Sequence, residues 1–406
     1  MSFRSDILAT VQPSATLSIT QKAEERRRQG KTIFSFSAGE SDFPTPAHVI
    51  QAAKDAMDAG ETTYTPVPGT AALRKAVAAT VSAYCDTTYD PAQTIISAGA
   101  KQVIYNALQA TLNPGDEVII PAPYWVSTPE MVRMNRGNPV IVDCLPCDQL
   151  KLTPDQLNAA ITPRTKWFIL NSPTNPSGAT YSQQELQQLG AVLMEHPHVH
   201  ILADDIYAAM VYCPDGFHGF VKCCPALKDR TLVVNGLSKS YAMTGWRVGY
   251  GVGPIALIKD MALIQSQTTS GACSISQAAA LAALTGDQSF LQQRCDAFQK
   301  RRDYVVNALK AAPYIRLASP EGAFYAFLDC REYLPHTSLA TDVDLCAALL
   351  DDAGLALVPG TAFGAPGFIR LSFALADEVL HQGLDLLVAA LKARLNKPST
   401  HVPFSA

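Results

Sequence analysis

Lys239 follows an apolar, β-branched run, Thr231-Leu-Val-Val-Asn-Gly-Leu-Ser238, and precedes Ser240-Tyr-Ala-Met-Thr-Gly-Trp246-Arg247-Val-Gly249. The run reads as a buried strand. The Gly, Ser and Thr residues around the lysine read as a turn, so the amine sits at a strand end and not on a solvated helix face. Desolvation there, and a neighbouring cation such as Arg247, both disfavour the ammonium and leave the amine available as a nucleophile and imine former. The plainer account is a structural lysine snorkelling to water. This stretch alone leaves both accounts open.

The elements that must hold this lysine alternate along the chain. Short apolar strands are expected at 94–97, 117–120, 140–142, 167–170, 199–203, 231–234 and 248–251, with helices at about 101–112, 127–136, 183–195, 254–268 and 275–310. Such alternation predicts an α/β fold with a mostly parallel seven-stranded sheet between helices. After Pro313 the pattern changes to strands near 323–329, 355–358 and 368–373 and helices near 342–353 and 376–395. A smaller α+β domain is expected there, joined by the N-terminal segment. The expected division is 1–45 and 313–406 in the small domain and 46–312 in the large one.

Ligands of doubly wound sheets gather at the carboxyl ends of the strands. After the first strand stands Ala98-Gly99-Ala100-Lys101-Gln102, where small residues opening a helix offer backbone N–H groups to a phosphate. After the fourth stands Asn171-Ser-Pro-Thr-Asn175-Pro-Ser-Gly178, and after the fifth Asp204-Asp205-Ile-Tyr207. Each has an ordinary explanation: helix packing for Gly99 and Ala100, a helix cap for Asp204, a turn at Asn175, a half-buried aromatic for Tyr207. Together they supply a phosphate cradle, an anion for a ring nitrogen, hydrogen bonds to a phenolic oxygen and an imine lysine, which is what a pyridinium cofactor requires. Arg370 lies inside the apolar strand Phe368-Ile-Arg-Leu-Ser-Phe373, where a guanidinium is costly unless a carboxylate meets it. That carboxylate is either internal or a ligand's.

Composition narrows the classes. The chain has 406 residues, 48% of them apolar, and a net charge of −4 with no sustained basic run, which argues against nucleic acid. No segment has the uninterrupted apolar length of a membrane span and the N-terminus shows no leader pattern, so a cytoplasmic protein is expected. Ten cysteines then point to reduced thiols. Cys144-Leu-Pro-Cys147 has redox spacing and Cys223-Cys224 is a vicinal pair, yet no second CxxC or His cluster completes four ligands, and no metal is expected. Gly249-Tyr-Gly251-Val-Gly253 suggests a nicotinamide site, but its third glycine comes too early and no acidic residue follows about twenty positions on.

At this point the chain resembles the fold-type I enzymes that use pyridoxal phosphate (PLP), and more closely the bacterial aspartate aminotransferases of subgroup I-beta. The resemblance spans Pro13-Ser-Ala-Thr16, Ser37-Ala-Gly39-Glu40, Tyr64-Thr-Pro-Val-Pro-Gly69, Gly99-Ala-Lys101-Gln, Pro123-Tyr-Trp125-Val-Ser, the Asn171, Asp204 and Lys239 blocks, Val358-Pro-Gly-Thr and Ile369-Arg370-Leu-Ser-Phe. It implies that Lys239 forms the cofactor imine and then moves the substrate Cα proton. It also implies that Asp204 keeps the pyridine nitrogen protonated, that Tyr207 and Asn175 hydrogen-bond O3′, and that Trp125 stacks on the ring. The phosphate would fall to Ala100, Lys101, Arg247 and Tyr64 of a neighbouring subunit, making a homodimer with shared active sites. Gly236 stands where several relatives carry a phosphate-binding serine, and Ser238 is the nearby substitute.

For substrates, the resemblance assigns the α-carboxylate to Arg370, Asn175, Trp125 and Gly39. The better-known aspartate aminotransferases grip the distal carboxylate with an arginine after the lysine helix, but no Lys or Arg lies between Lys259 and Arg294. The subgroup's substitute is Lys101 with Ser14 and Thr16. The implied activity is transfer of the amino group from L-aspartate to 2-oxoglutarate in a ping-pong cycle. Prephenate or aromatic substrates, and a PLP-dependent lyase, remain alternatives. A PLP-binding transcriptional regulator would need a helix-turn-helix ahead of this fold, for which Pro13 to Thr16 leaves no room.

Overall fold

A computed structural model describes residues 3–395. Its large sheet has seven strands in the spatial order Thr94–Ser97, Gly249–Val252, Thr231–Gly236, His200–Asp204, Thr165–Asn171, Glu117–Ala122 and Asn138–Asp143. All neighbours pair parallel except Gly249–Val252, which runs against both of its partners. Strands such as Thr231–Gly236 are buried at every position because helices cover both faces. The antiparallel strand passes so close to the start of helix Ala100–Thr111 that a Cβ at Gly249 would lie 2.3 Å from the Ala100 nitrogen. Only glycine permits that approach.

Two helices the sequence pattern did not single out, Ala47–Asp58 and Ala71–Cys85, pack on Ser274–Thr285. Their buried faces are largely alanine and valine, a weak signal beside the long-chain stripe of a typical amphipathic helix. The single helix expected over 275–310 is two, Ser274–Thr285 and Ser289–Leu309. Gly286 ends the first. Asp287 turns the chain by accepting from the Ser289 N–H at 2.9 Å, so a polar break interrupts an otherwise continuous apolar pattern.

Past this point a second, antiparallel sheet joins Val358–Pro359, Phe368–Ser372 and Tyr325–Asp329. The strand expected at 355–358 divides: Leu355–Ala356 pairs instead with Phe34–Ser35, and Leu357 carries the chain between the two pairings. Phe36, Phe298, Phe324, Tyr325 and Leu371 build one core beneath it. Burying each large side chain contributes roughly 2–3 kcal/mol, which anchors the strands carrying Tyr325 and Arg370. Among the described residues, no helix is long and apolar enough to cross a membrane.

Candidate active site

The carboxyl ends of the parallel strands and the second sheet enclose a cavity of about 420 Å³. Lys239 enters it from the turn after Thr231–Gly236, and its amine donates to the Gly39 carbonyl at 2.5 Å. Burial, helped by the Arg370 and Arg247 guanidiniums and opposed by Glu40 and Asp204, lowers the lysine pKa to about 8. The sequence pointed to Arg247 as the neighbouring cation. Arg370, from the other sheet, has the larger effect.

Asp204 ends its strand with a fully buried carboxyl. Burial raises it to about 7, against the pull of the Ile206 N–H and of Lys239. Tyr207, two residues past the neighbouring Asp205, meets the Tyr325 hydroxyl at 2.9 Å. Asn171 fixes the next loop: its amide donates to the Asp204 carbonyl at 3.0 Å and its oxygen accepts from the Asn175 N–H at 2.9 Å. Asn175 Oδ1 is thereby aimed at Arg370, whose Nη1 lies 3.0 Å away.

The opposite wall is the start of helix Ala100–Thr111, where the Gln102 N–H turns back to the Gly99 carbonyl at 3.0 Å and the Ala100 and Lys101 N–H groups precede the first turn's acceptors. Gly99 precedes it with φ of +89°, and a Cβ there would meet Arg247 Nη2 at 2.6 Å. Arg247 itself donates to the Thr244 and Ala98 carbonyls, and Ser238 lines the cavity beside it. Lys101 stands at the rim with its amine 3.1 Å from Ser127 Oγ and 4.7 Å from the Trp125 ring centroid. Ser14 and Thr16 line the same cavity from the N-terminal segment, as does Gly39. Tyr64 does not: it lies beside Thr269 and Ser270 on the surface, 92% exposed.

Arg370 is 2% exposed, yet its hydrogen bonds go to neutral oxygens, Asn175 Oδ1 and the Ser37 carbonyl at 2.7 Å. Its Nε has no partner, and among the described residues it forms no salt bridge. An internal carboxylate is thus not what holds it. A buried guanidinium without an anion is costly, so the cavity is built to receive one.

The aminotransferase class I and II family matches residues 31–387. The chain belongs to that family. The aminotransferase is 50% identical to the aspartate/prephenate aminotransferase of Cereibacter sphaeroides over 94% of this chain and 97% of that one. It is 48% identical to an aspartate aminotransferase of Rhizobium meliloti over 94% and 95%. A solved aspartate aminotransferase from Rhizobium meliloti superposes with a TM-score of 0.93 at 46% identity, covering 97% of this chain and 99% of that one. The Thermus thermophilus aspartate aminotransferase with maleate gives 0.90 at 39% identity, covering 96% and 100%.

Enzymes of this family use PLP, and the aminotransferase has residues that fit it. A buried acid paired only with a backbone N–H suits a ring-nitrogen cation; a helix start beside Arg247 suits a phosphate; a partly deprotonated lysine suits an aldehyde. The sequence reading missed Tyr325 and the partner role of Ser127. Ser127 was legible, two residues past Trp125. Tyr325 was hidden in the apolar run Ala323-Phe-Tyr-Ala-Phe-Leu, which reads as core.

Proposed function

We propose that this aminotransferase moves the amino group of L-aspartate to 2-oxoglutarate with PLP as its cofactor. One observation carries the substrate class: two cations, Arg370 and Lys101, line one cavity with Lys239 and neither has a carboxylate partner among the described residues. Two free cations suit the two carboxylates of a dicarboxylic amino acid. The names of the relatives agree with this reading.

When bound, PLP supplies an aldehyde that links to amines and a conjugated ring that accepts electrons. Lys239 would hold the aldehyde end and, once an incoming substrate amine displaces it, would move the proton at the substrate Cα, for which its lowered pKa suits it near neutral pH. Asp204 would keep a proton on the ring nitrogen, and a cation there would offset the cost of the buried carboxylate. Tyr207, Asn175 and Trp125 line the same cavity, where Tyr207 and Asn175 would hold the O3′ oxygen and Trp125 the ring face. The N–H groups of Ala100 and Lys101, with Ser238 and Arg247, bind the phosphate, and Gly99 leaves room for the Arg247 fork. Arg370, Asn175, Trp125 and the Gly39 backbone hold the α-carboxylate. Lys101, with Ser14 and Thr16, holds the distal one.

The proposal extends to a homodimer in which Tyr64 reaches the partner's phosphate site, supported by its exposure on one protomer. It includes the division into 1–45 with 313–406 and 46–312, supported by the pairing of Phe34–Ser35 with Leu355–Ala356. A cytoplasmic setting is supported by ten cysteines that are all free thiols. Prephenate is a second substrate reading, favoured by the name of the Cereibacter relative and by apolar Leu17 and Ile104 in the cavity wall.

The visible spectrum of the purified protein tests the reading. A yellow band that L-aspartate bleaches and 2-oxoglutarate restores is expected. A band indifferent to aspartate moves the substrate elsewhere, release of ammonia without amine transfer points to a lyase, and no band after PLP is supplied ends the reading.

A further inference from the structure

The stretch bare of basic residues ends at Arg294, and this residue and Arg301 lie seven positions apart on helix Ser289–Leu309 with Phe298 between them. All three face Phe43. Its ring is 5.3 Å from the Arg294 guanidinium, 5.2 Å from that of Arg301 and 5.5 Å, edge-on, from Phe298. Arg294 donates to the Pro44 carbonyl at 2.6 Å and to the Ser240 carbonyl at 3.1 Å, tying Phe43's neighbour to the turn that carries Lys239. Arg301 grips Asp42 with both terminal nitrogens, at 2.7 and 2.9 Å, and Asp377 with Nε at 2.7 Å. Both arginines are only 9% exposed, and neither lines the cavity. The segment they clamp carries Gly39, whose carbonyl receives the Lys239 amine, and Glu40, which accepts from Thr244 at 2.9 Å.

We propose that Arg294 and Arg301 are positioning residues that grip the loop 39–44 on both sides of Phe43 and so hold the Gly39 backbone and the Lys239 turn in register. The inference rests on the transaminase reading above. Two guanidinium forks suit this task because each presents its donors in one rigid plane, whereas a lysine is a compact charge on a flexible stem. The two arginines divide the labour: Arg294 reaches the Lys239 turn directly, whereas Arg301 ties the loop that faces substrate to Asp377 at the start of helix Asp377–Leu395.

The test compares Arg294→Met, Arg301→Met, Arg301→Lys and the milder Asp42→Asn with wild type, all loaded with PLP. Three readouts are taken at a temperature where every variant is folded: kcat and KM, the pH midpoint of the visible absorbance, and amide hydrogen exchange over 37–45. Arg294→Met is expected to lower kcat at least tenfold and to move the pH midpoint, because a small misplacement of a reacting group is expensive. Arg301→Met and Asp42→Asn are expected to raise KM for amino and oxo acids about tenfold with a smaller change in kcat, and to speed exchange over 37–45. Arg301→Lys should recover part of that loss. Variants that only melt at lower temperature, with wild-type kinetics, midpoint and exchange, overturn the proposal. Wild type that shows no visible band overturns the transaminase reading itself.

Discussion

The hydroxyls of Tyr207 and Tyr325 lie 2.9 Å apart, joining a residue just past the end of a large-sheet strand to one on a strand of the second sheet. The Tyr325 ring also lies 4.5 Å beneath the Arg370 guanidinium. One side chain therefore contacts both the residue assigned to the cofactor O3′ and the residue assigned to the substrate carboxylate.

Tyr325→Phe keeps the ring under Arg370 and removes only the hydroxyl. The lost hydrogen bond is worth about 1 kcal/mol, so kcat/KM should fall roughly fivefold. Steady-state kinetics check this; an unchanged kcat/KM would mean that the hydroxyl pair has no part in turnover.

Lys239→Ala should remain folded, bind PLP without a covalent link and lose at least about 10⁴ in turnover, since one residue supplies both the linkage and the proton transfer. Borohydride reduction followed by mass spectrometry reads the linkage. Turnover at wild-type rate would remove the central assignment.

The Lys239 amine should show its lowered pKa chemically. In PLP-free protein, acylation of Lys239 followed by peptide mass spectrometry should give a pH midpoint near 8, well below that of surface lysines. Because Arg370 is the charge that lowers it most, Arg370→Met should move the midpoint upward.

Asp204 gives a stability test with a definite sign. Its carboxyl is raised from 3.8 to about 7, so the folded protein favours the neutral acid. The stability this contributes is complete below pH 3.8 and is lost as pH rises through 7. In PLP-free protein, Asp204→Asn should therefore raise stability more at pH 8 than at pH 5, by about 2 kcal/mol, seen in urea unfolding. With PLP bound the same substitution should weaken cofactor binding and activity, because the ring nitrogen loses its anion.

Lys101→Ser should raise KM for aspartate more than for a neutral amino acid. Lys101 stands at the rim, where water screens it, so the difference should be about 1–2 kcal/mol and not the larger value of a fully desolvated pair. Equal losses for both substrates would place the distal carboxylate elsewhere.

Much of the candidate site was legible because parallel strands end where ligands bind, and each such end carries a short local signature. Asp204, Asn175, Lys239 and the Gly99-Ala100 helix start could each be placed by reading a few residues around them. Lys101 and Arg370 could be singled out by what was odd about them, a cation at a helix start and a charge inside an apolar strand. Tyr325 had no such mark, since a tyrosine among Phe and Ala on a strand looks like core until its hydroxyl is given a partner. The helix break at Gly286 was equally faint, a single polar turn inside a long apolar pattern.

The order of strands in the sheet, and the reversal of Gly249–Val252 within it, came only from the tertiary structure, because hydrogen-bond pairing joins segments whose local patterns are alike. The same holds for the surroundings of Arg370. The sequence showed that a buried guanidinium needed an anion, a consequence of its charge and apolar neighbours alone. That no side chain among the described residues supplies one depends on which carboxylates the fold brings near, and this is settled by packing between segments hundreds of residues apart.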